Sequence, residues 1–110
     1  MKIPQMCPSI GMQEYESMRE CFENNWVTEG PKSKQFVEEL CEIIGVKYGV
    51  LAPNGTLALY LGIKSVGIAH GDEVIVPNFT FVATANAVLM AGAIPVFVDI
   101  EEKTLQIDIE

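Results

Sequence analysis

The stretch Ala52-Pro53-Asn54-Gly55-Thr56-Leu57-Ala58-Leu59 decides the fold, because an apolar run ending at Ala52 breaks at Pro-Asn-Gly and a helix-like run begins directly after it. It reads as an anion-binding turn. Gly55 permits a positive φ or the close approach of a ligand to the backbone, and Thr56 is placed to cap the helix or bond to that ligand. Leu57 to Ile63 are apolar on every side, which predicts a helix buried all round. The first N–H groups of such a helix need acceptors. A phosphate would satisfy them and also meet the positive end of the helix dipole. A plain strand-turn-helix corner, with Thr56 as its cap, is the alternative that these residues leave open.

Working outward, Val46 to Ala52 is a strand candidate and the helix starting at Thr56 runs to about Val66, where Gly67 ends it. Ala69-His70-Gly71-Asp72 is a polar corner. His70 reads there as a solvated turn residue, since no second metal-ligand type stands at a useful spacing. Glu73 to Val76 is a second strand stopped by Pro77, and Asn78 to Phe81 forms the next strand-to-helix crossing. Val82 to Ala91 is a small-residue helix with Gly92 at its end, and Ile94 to Ile100 is a third strand. Continuous apolar runs in place of alternation predict strands covered on both faces, as in a parallel sheet with crossover helices. Tyr48 to Ile100 therefore reads as strand, helix, strand, helix, strand, the pattern of an open α/β sheet. Ligands on such sheets bind beyond the carboxyl ends of the strands, where Asn54-Gly55-Thr56 and Asn78 to Phe81 both lie.

Toward the amino terminus, residues 1–11 read as an extended arm. Tyr15, Met18, Phe22 and Trp26 then follow helical spacing, with Glu14, Glu16, Arg19 and Glu23 between them, so an amphipathic helix runs from Met12 and frays near Asn24-Asn25. Its aromatic positions read as core. Glu29-Gly30-Pro31 breaks the chain, Pro31 suits the first turn of a second helix, and Gly45 caps its end. Cys41 on the apolar stripe of that helix reads as a small buried hydrophobe rather than a nucleophile, because no His stands near it in sequence. The division expected is 1–46, arm and two helices, and 47–110, an incomplete sheet-bearing segment. The tail from Glu101 to Glu110 is acidic and stops without a closing signal, as though cut off.

Composition narrows the functional classes. The chain has 110 residues, 49% of them hydrophobic, and a mean hydropathy of +0.25, rich for a domain of this size and suggestive of a piece of a larger body. Fifteen Asp and Glu against seven Lys and Arg give a net charge of −8, which argues against nucleic acid and anionic membrane as partners. Cys7, Cys21 and Cys41 are odd in number and lack a C-x-x-C pair, so neither a disulfide framework nor a metal site is expected and reduced, cytoplasmic thiols are the default. No signal peptide or spanning segment is read, so a soluble protein is expected.

Gly55 and Gly62 do not form the dinucleotide G-x-G-x-x-G fingerprint, and the G-x-x-x-x-G-K-[ST] motif is lacking. The second crossing offers Phe79 and Phe81, and an aromatic ring beside a helix start is a workable cradle for pyridoxal phosphate (PLP). At this point the chain resembles the DegT/DnrJ-type aminotransferases, PLP enzymes of fold type I that aminate keto groups on nucleotide-linked sugars. The resemblance runs through Asn25 to Pro31, Asn54 to Leu59, Gly71 to Pro77, Phe79 to Thr84 and Pro95 to Ile100, in order and at matching spacing. The N-G-T variant and Thr104 to Ile107 look most like members that make 4-amino-4,6-dideoxy sugars such as perosamine.

The resemblance implies part of the large domain of a three-layer α/β/α fold with a mostly parallel sheet. It implies that the Gly55 and Thr56 amides and the Thr56 hydroxyl hold the cofactor phosphate, and that Phe81 stacks on the pyridine ring. Asn54 stands where the family often has Ser, which makes it a further cofactor-binding candidate; Phe79 and Asn86 read as packing first. The family's cofactor-bonding lysine and its pyridine-facing carboxylate would lie past Glu110, and Lys2, Lys32, Lys34, Lys47, Lys64 and Lys103 all stand in polar, surface-like contexts. No catalytic residue is thus assigned in this chain. The sequence would cover the first third of such an enzyme, and these residues alone are expected neither to catalyse amino transfer nor to fold stably. The implied partners are a nucleotide-linked keto sugar, glutamate as amino donor and a second subunit of a homodimer, with Trp26 to Pro31 at that interface. A sugar dehydratase of the same family and a non-catalytic PLP-binding regulatory protein are the competing readings.

Overall fold

The computed structural model describes residues 3–4 and 6–109 and divides into two compact regions, Met1–Val50 and Leu51–Glu110. Of the expected arm and tail, Met1, Lys2, Gln5 and Glu110 lie outside the described residues.

The first region carries α1 (Met12–Glu23) and α2 (Pro31–Ile44). Gly11 precedes α1 in extended conformation, and its N–H donates to Glu14 Oε2 at 2.7 Å, which satisfies a donor at the helix start and holds the Glu14 carboxyl below its usual pKa. On the exposed flank Arg19 bridges Glu16 at 2.7 Å and Glu23 at 3.1 Å. At the far end the Trp26 indole donates to the Glu29 carbonyl at 2.9 Å and lies over Gly30, where any added Cβ would collide with it. Pro31 then opens α2 at a position whose N–H needs no helical partner. Gly45 closes it in the left-handed region at φ 77°, its N–H and that of Val46 both donating to the Cys41 carbonyl. None of the residues of either helix is fully buried.

The second region holds α3 (Gly55–Ser65), β1 (Glu73–Pro77), α4 (Ala83–Met90) and β2 (Ile94–Val98). β1 and β2 pair in parallel, Glu73 opposite Ile94 through Pro77 opposite Val98, so the connection between them crosses over through α4. The Ile94 N–H donates to the Asp72 carbonyl and the Asn78 N–H to the Val98 carbonyl, each at 2.8 Å, extending the ladder at both ends. Val76, Val88 and Ala93 form the core, with Ile63, Ile68, Val74 and Ala85 packed against it. Ala83, Ala87 and Ala91 are also buried, and their small side chains let α4 pack against both α3 and the strands. This is the α/β arrangement with parallel strands that the sequence predicts.

Several expectations are corrected. Val46 to Ala52 is not a strand: among the described residues β1 and β2 pair only with each other, and a strand is defined by a partner to take its backbone groups. α3 is not buried all round, since none of its residues is fully buried and Leu59 and Leu61 are each 44% exposed; α4 covers only one side. The strands are not covered on both faces either, for Val76 is 1% exposed while Ile75, on the opposite face, is 62% exposed. The last strand ends at Val98, with Ile100 in a lone antiparallel bridge to Ile107. The acidic tail carries this bridge. It turns back on itself through Leu105 at φ 57°, and the Glu101 N–H donates to the Gln106 carbonyl at 2.9 Å.

Candidate functional site

The break at Pro53 leaves Asn54 extended, and its side-chain Oδ1 accepts the Leu57 N–H at 3.0 Å while its carbonyl accepts the Ala58 N–H at 3.0 Å. Asn54, not Thr56, is thus the helix cap. Asn ranks with Ser and Asp as a cap, and its side chain reaches the third amide of the helix. Gly55 and Thr56 occupy the first turn, and among the described residues neither of their amides nor the Thr56 hydroxyl has a hydrogen-bond partner. Gly55 also has open space where a Cβ would stand. The helix start therefore presents three uncommitted donors together with the positive end of its dipole.

Those donors open onto a cleft of about 850 Å³ lined by Asn54, Gly55, Thr56, Ala58, Leu59, Gly62, Ile63, Phe81, Ala83 and Thr84. The four residues singled out from the sequence, Asn54, Gly55, Thr56 and Phe81, stand on one cleft. Phe81 is 77% exposed, so its ring is largely uncovered. Phe79 and Asn86 are not among the lining residues. Sequence reasoning missed Ala58, Leu59, Gly62 and Ile63, although their spacing from Gly55 of three, four, seven and eight marks one stripe of α3. It also missed Thr84, three residues after Phe81 on the start of α4. What the arrangement can do is hold an anion at the helix start and a flat apolar group against Phe81.

A smaller cavity of about 420 Å³ lies in the first region, beside Cys21, Trp26, Thr28 and Ser33. At its wall Lys32 Nζ and Glu20 Oε2 pair at 2.6 Å; this contact holds the Glu20 carboxyl below and the Lys32 ammonium above their ordinary pKa values. Its one lysine is thus already committed to a carboxylate. His70 is exposed in its turn against Gly92, and among the described residues no three His, Cys, Asp or Glu side chains are grouped to hold a metal. No helix among the described residues is long and apolar enough to cross a membrane.

Comparison with known proteins gives concordant findings. The model of the DegT/DnrJ/EryC1/StrS aminotransferase family matches residues 8–110. The spore coat polysaccharide biosynthesis protein SpsC of Bacillus subtilis is 43% identical over 106 residues, 96% of this chain and 27% of that protein. GDP-perosamine synthase of Vibrio cholerae is 40% identical over 109 residues, 98% of this chain and 30% of that protein. Among solved structures, E. coli GDP-4-keto-6-deoxy-D-mannose-3-dehydratase with bound hydrated PLP superimposes with a TM-score of 0.85 at 27% identity, over 97% of this chain and 29% of that one. The chain thus spans less than a third of the length of the curated relatives it matches.

Proposed function

The chain belongs to the DegT/DnrJ/EryC1/StrS aminotransferase family, and on that premise we propose that it builds the phosphate-binding and ring-stacking half of a PLP site in a sugar-nucleotide aminotransferase. The whole protein transfers an amino group, from glutamate, to a keto group of a nucleotide-linked deoxysugar, in cell-surface polysaccharide or antibiotic sugar biosynthesis. It works in the cytoplasm as a homodimer. The observation that carries the reading is the pairing, on one cleft, of an α3 start with unspent donors and a largely uncovered Phe81 ring.

The residues present fit the cofactor. The Gly55 and Thr56 amides and the Thr56 hydroxyl hold the phosphate dianion, an arrangement in which backbone donors and the helix dipole act together. Asn54 supports that contact indirectly, because its Oδ1 is occupied by Leu57 and fixes the helix start. Phe81 covers one face of the ring, which orients it and excludes water from that side. When bound, PLP supplies an electron-withdrawing ring that stabilises negative charge beside the amine. The stripe of α3 from Ala58 to Ile63 gives the cleft an apolar wall.

The superposition on a PLP-bearing dehydratase favours one second reading, removal of a sugar hydroxyl in place of amination. A single assay separates the two. The protein from its complete reading frame is given a nucleotide-linked 4-keto-6-deoxysugar, glutamate and PLP, and the sugar product is analysed for nitrogen. Stoichiometric aminosugar and 2-oxoglutarate support the transferase, and a deoxygenated sugar supports the dehydratase. Thr56→Val lowers PLP affinity by about tenfold or more, the size of a lost hydrogen bond to a charged group. Wild-type protein that binds no PLP at millimolar concentration sinks both.

A further inference from the structure

The start of α4 has Val82 at its cap position and no side-chain cap, and Thr80, two residues earlier, does not supply one. Its hydroxyl is directed elsewhere. Thr80 Oγ1 lies 3.0 Å from Thr84 Oγ1, and among the described residues neither hydroxyl has another partner. Two threonines bring two O–H donors, and a single hydrogen bond between them consumes one. One donor is left over. Thr84 lines the cleft and is half-buried, whereas Thr80 is exposed and does not line it. Phe81, just ahead of α4, and Thr84, in its first turn, both line the cleft.

Resting on the cofactor reading above, we propose that Thr84 is a further binding residue of the cleft, its hydroxyl donating to an acceptor oxygen of the flat, phosphorylated ligand beside Phe81, with Thr80 as its positioning residue. Thr80 accepts nothing from the ligand. In this assignment Thr80 donates its proton to Thr84 Oγ1, one of the two directions that the 3.0 Å contact allows, and the Thr84 proton is left for the cleft. The ligand oxygen belongs either to the phosphate or to the ring hydroxyl, and both are acceptors of the same kind.

The test uses the protein from its complete reading frame and spectroscopic titration with PLP, pyridoxal and inorganic phosphate. Thr84→Val keeps the shape and removes the hydroxyl; it weakens PLP binding by about tenfold, and Thr84→Ser restores it to within about twofold. Thr80→Val, at an exposed position, weakens PLP by about threefold, and the double variant binds no worse than Thr84→Val alone, the non-additivity expected of residues acting as one unit. Equal weakening for inorganic phosphate assigns the contact to the phosphate; weakening for pyridoxal assigns it to the ring. A Thr84→Val protein with a native circular dichroism spectrum and wild-type PLP affinity overturns the proposal while the cofactor reading stands. Additive losses at Thr80 and Thr84 overturn the positioning role of Thr80. Wild-type protein without PLP affinity overturns both readings together.

Discussion

Val88, on α4, is 1% exposed, while Ile43, in the last turn of α2, is 81% exposed, although both are β-branched apolar residues on helices. The contrast extends to the two regions. Every fully buried apolar side chain among the described residues, Val76, Ala83, Ala87, Val88, Ala91 and Ala93, belongs to the region from Leu51 onward. The region up to Val50 is ordered instead by short-range contacts: the Glu14 and Gly45 caps, the Arg19 pairs, the Trp26 indole on Glu29, and Glu20 on Lys32. Burial organises the second region, and local hydrogen bonding and charge organise the first. Substitutions of one kind therefore have unequal effects in the two.

The largest difference is expected from placing the same charge in each. Val88→Asp puts an unpaired carboxylate into the core and costs about 3–5 kcal/mol, a large part of the stability of a small domain. Ile43→Asp, already facing water, stays within about 0.5 kcal/mol. Urea midpoints of the two variants measure this, and equal shifts would break the contrast. Next in size is Gly30→Val. The added side chain meets the Trp26 indole and displaces it from the Glu29 carbonyl, at a cost of about 1–3 kcal/mol from overpacking. Trp26 is the single tryptophan of the sequence, so its emission shifting to longer wavelength reports the displacement.

The same division explains what was legible in the sequence. α1, α2 and the Gly45 cap were read from spacing and Pro-Gly punctuation because their determinants lie within a few residues of one another. β1 was read for the same reason, bounded by Gly71-Asp72 and Pro77. Val46 to Ala52 was misread because a β-prone run becomes a strand only when another strand meets it, and nothing local encodes that meeting. The full burial expected of α3 failed likewise: composition shows that a helix is apolar, not what covers it. At the cleft, Gly55, Thr56 and Phe81 were visible as a turn and an aromatic residue. The cap was placed two residues late because Asn54 and Thr56 are both good caps, and only the 3.0 Å bond to Leu57 separates them. Thr84 was hidden in an alanine-rich run, and its role in lining the cleft emerges only once α3 and α4 pack together.

Asn54 sharpens the comparison, since it is a local device inside the region organised by burial. Asn54→Ala removes one cap and costs about 1 kcal/mol, whereas Asn54→Ser, an equally good cap, costs a few tenths. Faster hydrogen exchange at the Leu57 amide in the alanine variant alone is the expected signature. Unchanged exchange there would show that packing against α4, not the cap, holds the start of α3.

The smallest effect is expected from the Glu20–Lys32 pair, which joins α1 to α2 at 2.6 Å with both side chains fully in water's reach. The hydrogen bond from Lys32, reinforced by its charge, holds the Glu20 carboxyl below its ordinary 4.5, and the reciprocal contact raises Lys32 above 10.5. A depressed carboxylate stabilises the fold above its unfolded pKa, and that contribution fades as the pH falls through the lower folded value. A raised ammonium acts in the opposite sense: its contribution is complete below 10.5 and fades as the pH climbs through the higher folded value. The pair is therefore intact across the whole neutral range and is lost at both extremes, most accessibly in acid. Because both groups are exposed, salt screens them and the gain is modest. Carboxyl-carbon NMR titration is expected to place the Glu20 midpoint below 4.5 in the native protein and to return it toward 4.5 in Lys32→Met or in high salt. A Glu20 midpoint indifferent to both would leave α1 and α2 without this link, and the first region would then depend on its helix caps and the Trp26 contact for its order.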